Sequence, residues 1–97
     1  MKQYRGDRTI DGVEVTVDGT PLDPRLDLKN ICDGGFEWGY DGDATEQLAL
    51  AILADHLGDD AAALRIYQAF ATEIVANFAN EWEMTDDDIA AAVTALG

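Results

Sequence analysis

The sequence predicts an α+β domain, with a small, mainly antiparallel N-terminal sheet packed on three C-terminal helices in two layers. Three observations predict it. Asp-Gly turn signals at 11–12 and 18–19 bracket a valine segment that alternates with polar residues. Apolar residues at helical spacing fill the second half of the chain. The two patterns are segregated, with residues 1–42 sheet-rich and 43–97 helical, which separates this class from alternating α/β folds. A chain of 97 residues has room for one core, so 1–97 is a single domain.

Arg8-Thr9-Ile10 and Val13–Val17 read as a hairpin closed by Asp11-Gly12, because a two-residue turn needs φ > 0 at both central positions. Val13, Val15 and Val17 face the core, and Glu14 and Thr16 face water. Asp18-Gly19 turns into Thr20-Pro21-Leu22. Pro21 has no N–H to give a ladder, so this piece is an edge strand or no strand. Residues 23–35 are irregular, with Asp23-Pro24 as a turn and Leu26, Leu28 and Ile31 as anchors. Phe36–Tyr40 reads as a strand with its three aromatics on one face. Asp43 serves as N-cap of helix one, with Glu46 completing a capping box and Gly58 stopping the helix. Leu48–Ala54 is apolar all round, so this helix is central. Asp59 or Asp60 caps helix two, whose stripe runs from Leu64 to Trp82. Thr85 caps helix three, with Asp86, Asp87 and Asp88 at its positive end and Ile89, Val93 and Leu96 as its stripe.

The charge is unusual. Twenty acidic residues face six basic ones, for a net charge of −14; Asp outnumbers Glu by 14 to 6, and Lys2 and Lys29 are the only lysines. On a sphere of roughly 16 Å radius, the self-repulsion is about 25 kcal/mol unscreened, about 8 at physiological salt and about 4 near 1 M. Total stability is only about 5–15 kcal/mol. Asp-rich, Lys-poor composition resembles that of extreme halophiles, and it predicts a surface adapted to multimolar salt. The competing reading is a specific acidic surface that mimics nucleic acid. A basic footprint for direct nucleic-acid binding is missing. One cysteine excludes an intramolecular disulfide and a cysteine-rich zinc site. The start MKQYRGDRT has no apolar signal region, and the longest apolar run, Leu48–Ala54, is far short of a membrane span. These features predict a soluble, cytoplasmic protein.

Gly35–Ala54, GFEWGYDGDATEQLALAILA, carries a resemblance. It is similar to an uncharacterised family of small domains of unknown function found in bacteria, archaea, phages and plasmids. The family pattern runs Gly-Phe-x-Trp-Gly-Tyr-Gly-Gly-Ser-Gly-Pro-Ala-Gln-Leu-Ala-Leu-Ala. Gly35, Phe36, Trp38, Gly39, Tyr40, Gly42 and Gln47–Ala51 match it. Tyr4-Arg5-Gly6, Trp82 and Thr85 are also similar. The chain departs at Asp43-Ala44-Thr45-Glu46, where the family has Ser-Gly-Pro-Ala. The resemblance implies no activity, but it does imply carriage on mobile elements.

Trp38, Tyr40 and Gln47 are the candidate binding residues. Trp38 and Tyr40 form an exposed recognition pair or join Phe36 in the core. Gln47 binds a partner or ties down loop backbone. Asp41-Gly42-Asp43 begins like a calcium loop, but Glu46 and Ile52 occupy the positions of its glycine and bidentate glutamate, so no metal is expected. Cys32 and His56 read as a small buried hydrophobe and a helix-end residue, and Arg5 and Arg8 as partners of carboxylates. Phosphate-loop, nucleophile-elbow and zinc motifs are missing. The expectation is a non-enzymatic accessory or protein-interaction module without cofactor, whose partner is a protein. The alternative is an acidic inhibitor that fills a nucleic-acid-binding groove.

Overall fold

A computed structural model describes residues 2–96. Four antiparallel strands form one sheet, β1 (Gln3–Thr9), β2 (Gly12–Val17), β3 (Thr20–Pro21) and β4 (Trp82–Thr85), in the order β3-β2-β1-β4. Three helices follow the sheet-rich region, α1 (Asp43–Leu57), α2 (Asp60–Glu73) and α3 (Asp86–Leu96). The predicted α+β class is the observed one.

Alternation sorts the sheet into two faces. Tyr4, Gly6, Val15 and Trp82 are buried on the inner face, while Arg5, Asp7, Glu14 and Glu83 are exposed on the outer one. The Tyr4 hydroxyl donates to Asp55 of α1 at 2.5 Å, so the inner face is the one the helices cover. Position 6 is glycine because Trp82, its directly paired residue on β4, lies across it.

Asp18-Gly19 behaves as its sequence predicts, with φ of 51° and 83° between the paired residues Val17 and Thr20. The first turn is displaced by one residue. Thr9 pairs with Gly12, so Ile10 and Asp11 occupy the turn and Gly12 follows it at φ 122°. The Thr9 hydroxyl fixes this arrangement, accepting from the Asp11 N–H and donating to the Gly12 carbonyl. β3 is the two-residue edge strand that Pro21 allows.

Three expectations are corrected. Phe36–Tyr40 is not a strand: Gly39 takes φ 86° and donates to the Val75 carbonyl, which breaks the alternation. Helix two does not reach Trp82. It ends at Glu73, where the Asn77 side chain caps the Glu73 carbonyl, and a 3-10 turn over Val75–Asn77 follows. Trp82 then enters the sheet, which thereby draws its fourth strand from the C-terminal half. Asp43 is inside α1 rather than capping it. Gly42 is the N-cap residue, and Asp43 and Glu46 place negative charge in the first turn.

The other caps follow the sequence. Gly58 closes α1 in the left-handed conformation, with its N–H on the Ala54 carbonyl. Thr85 and Asp88 cap α3 reciprocally, each side chain accepting from the other's backbone N–H. Asp59 caps α2 by accepting from the Ala62 N–H at 3.1 Å. Asp59→Ala is expected to cost about 1 kcal/mol, read by urea denaturation. An unchanged midpoint would show that this cap contributes nothing. Leu48–Ala54 is buried on every side, which makes α1 the centre of the core. Among the described residues no helix is long and apolar enough to cross a membrane.

Candidate functional site

The three residues singled out in the sequence part company. Trp38 is fully buried; its ring meets Trp82 edge-on at 5.9 Å between centroids. Phe78 stacks on Trp82 at 4.4 Å between centroids. Among the described residues neither indole N–H meets an acceptor. Arg8 closes this cluster from β1, with its guanidinium 4.9 Å from the Trp38 ring centre. It donates to Glu37 at 2.6 Å, to Asn80 at 2.5 Å and to the Trp38 carbonyl at 3.1 Å. Arg8 thus clamps two loops onto the sheet. Tyr40, two residues after Trp38, is 55% exposed and makes no pair with it.

Gln47 is fully buried in the first turns of α1. Its Oε1 accepts from the Ile31 and Cys32 N–H groups at 2.8 and 3.0 Å. Its Nε2 donates to the Pro24 and Lys29 carbonyls at 2.6 and 3.1 Å. Every hydrogen-bonding position of the amide is used, so Gln47 ties down loop 24–32 and has nothing left for a ligand.

A second polar cluster joins β1 to the ends of α1 and α3. Lys2 Nζ and the Tyr4 hydroxyl share one oxygen of Asp55, and the Lys2 N–H donates to Asp86 at 2.8 Å. His56 Nδ1 lies 3.3 Å from Asp86. The Lys2 N–H, and after it the His56 ring, hold the Asp86 carboxyl below the usual range. Burial, reinforced by Asp55, pushes the Tyr4 hydroxyl far above its ordinary value. A phenol that keeps its proton and donates it to a carboxylate is a structural tie rather than an acid or base for chemistry. Cys32 and His56 are not brought together. Cys32 bonds to Gln47, and His56 lies nine residues further along α1, about 13 Å away along its axis. Among the described residues no three potential metal ligands converge, at Asp41–Asp43 or elsewhere.

The outer face of the sheet remains. It carries an open groove of about 410 Å³, bordered by Arg5, Gly6, Asp7, Glu14, Thr16, Glu81, Trp82 and Glu83. Arg5 pairs with Glu83 at 3.3 Å. The register sets Asp7 directly opposite Glu14. Sequence reading missed this constellation because carboxylates occur throughout the chain and only strand pairing shows which ones meet. The alternation of Glu14 with the valines was the available signal.

Fold and site together define a small α+β domain with one helix-covered sheet face and one open, charged face. The chain belongs to the family of unknown function DUF6166, which matches residues 4–95. No curated protein and no solved structure matches it.

Proposed function

We propose that this protein is a non-enzymatic accessory module that binds another protein through the open face of its sheet, inside a salt-rich cytoplasm. The observation that carries the proposal is the uncovered, charged outer face, which holds the groove while Trp38 and Gln47 serve the core. The resemblance over residues 35–54 extends the proposal to a setting on mobile elements. Affinity capture from the native host at its native salt, with the full chain as bait, is the test. A stoichiometric protein partner, displaced by excess free chain, is expected. Recovery of no partner, or of nucleic acid alone, would overturn the proposal.

Salt adaptation draws support from where the carboxylates sit. They occupy the outer sheet face, both sheet turns, loop 23–33, both ends of α1 and the starts of α2 and α3. None is buried. Lys2, Arg5, Arg8 and Arg25 each pair with a carboxylate, which leaves most of the negative charge unpaired. Acidity on every side favours salt adaptation over a one-sided mimic of a nucleic-acid duplex. Screening should then stabilise the fold, so the melting temperature is expected to rise between about 0.1 M and about 2 M KCl. A flat or falling melting temperature over that range would count against salt adaptation.

A further inference from the structure

Lys2, Arg5, Arg8 and Arg25 each pair with a carboxylate, and Lys29 lies 5.7 Å from the Tyr67 ring centre. Arg65 is the exception. Among the described residues it makes no ion pair and lies over no ring, in a chain with 20 acidic residues. Its surroundings on α2 give the reason. Residues 61–72 are the longest stretch of the sequence without a carboxylate. The acid-free run 47–54 is spent on the core, but Ala61, Leu64, Arg65, Gln68, Ala69 and Thr72 are exposed. Among the described residues Leu64, 38% exposed, is the one large apolar side chain open to water on a helix. Glu73 ends this face, is exposed, and also has no ion-pair partner among the described residues. Arg65, Ala69 and Glu73 follow one another at i, i+4 and i+8 on one row of the helix. The two charges stand about 12 Å apart along the axis, so they cannot meet on their own helix.

From this geometry we infer that the exposed face of α2 packs against the same face of a second copy of the chain. Two α2 helices crossing antiparallel about a two-fold axis at Ala69 set Arg65 of each copy against Glu73 of the other. The two charges that one chain leaves unpaired thus become two ion pairs. Ala69 at the crossing point lets the backbones approach closely, and Leu64, next to Arg65, is covered by the second copy. The face carries one cation and one anion equidistant from its centre, which is the self-complementarity a two-fold contact requires. A partner of uniform sign would set like charge against one of them. The missing carboxylates fit as well, because two chains of charge −14 can approach closely only where no acid stands between them. Salt of about 1 M cuts the long-range repulsion to a range of about 3 Å, while pairs enclosed by the contact are screened less. The dimer therefore tightens as salt rises.

This contact lies on α2 and does not rest on the role proposed for the open sheet face. Sedimentation equilibrium of the full chain in about 2 M KCl is the test. One helix face is a small interface, so a weak monomer–dimer equilibrium is expected, half-dimeric at about 100 µM. Arg65→Glu and Glu73→Arg shift the net charge in opposite directions. Each should nevertheless weaken the dimer by about tenfold, because each sets like charges opposite one another twice. Mixed in equal amounts, the two variants should form a heterodimer about as tight as the wild-type dimer, since both pairs are then complementary. Arg65→Glu/Glu73→Arg on one chain should restore the homodimer. Both positions are exposed, so circular dichroism of each variant should match the wild type, which separates lost association from lost fold. A wild type that stays monomeric up to about 1 mM would overturn the inference. So would a mixture of the two variants that associates no better than either alone. A dimer weakened by Arg65→Glu but strengthened by Glu73→Arg would also overturn it, because net charge rather than pairing would then govern association.

Discussion

Gly6→Ala is expected to destabilise the protein by about 3 kcal/mol, a large effect for one methyl group. A Cβ at position 6 would lie 2.0 Å from Nε1 and 2.3 Å from Cε2 of Trp82. Trp82 has nowhere to go. Phe78 stacks on one side, Trp38 meets it edge-on, and the strand holding it is registered residue for residue against β1. The methyl group must therefore displace the indole and disturb the aromatic cluster, or spread β1 from β4. A double-mutant cycle separates this collision from any intrinsic dislike of alanine in the strand. In a Trp82→Leu background, Gly6→Ala should cost less than about 1 kcal/mol, because the smaller side chain leaves room for the methyl group. Denaturant midpoints with unchanged slopes would give both numbers. A cost below about 1 kcal/mol for Gly6→Ala in the wild-type chain would mean that Trp82 does not cover Gly6.

The same Trp82 shows where the sequence misleads. Val75, Phe78 and Trp82 continue the helical apolar stripe that begins at Leu64, and all three do contribute to the core. They reach it from a 3-10 turn, a loop and a strand. Periodicity records which residues are covered, and the backbone can deliver them in more than one way. Helix termini were more legible when their signals acted locally. Gly58, Asp59 and Thr85 each act through a contact within four residues. The first hairpin was legible in its faces but not in its register. Centring the turn on Asp11-Gly12 would put Glu14 opposite Thr9, whereas the observed pairing puts it opposite Asp7. That shift of two residues keeps the valines inward, so hydrophobic alternation cannot detect it. It is also what creates the opposed carboxylates of the groove. The candidate site was therefore hidden for a physical reason: it depends on cross-strand pairing, which side-chain chemistry along one strand does not encode. Tyr40 fails differently. Alternation would place it beside Trp38, but Gly39 at φ 86° turns the chain and leaves the phenol outside.

Gln47→Glu is expected to be the most damaging conservative change, at about 4 kcal/mol near neutral pH. The amide spans loop 24–32 by accepting from two backbone N–H groups and donating to two carbonyls. A carboxylate keeps the acceptor side. On the other side it sets a negatively charged oxygen against the Pro24 and Lys29 carbonyls, at the place where the fully buried amide made its donations. Proton uptake restores one donor, so the folded state should hold the proton of the introduced carboxyl well above the usual glutamate range of about 4.3. The sign follows from that. With a folded-state pKa above the unfolded one, the variant is closest to wild type below the unfolded value and loses ground as pH rises through the folded value. Gln47→Ala leaves four backbone groups without partners but adds no charge, so it should cost less, about 3 kcal/mol, with no such pH dependence relative to wild type. Hydrogen exchange localises the damage. The Ile31 and Cys32 amides should lose protection in both variants, while those at the centre of α1 keep theirs as long as the fold survives. If the two amides remain protected in Gln47→Ala, or if the gap between Gln47→Glu and wild type does not narrow on acidification, then Gln47 is not the residue that holds this loop.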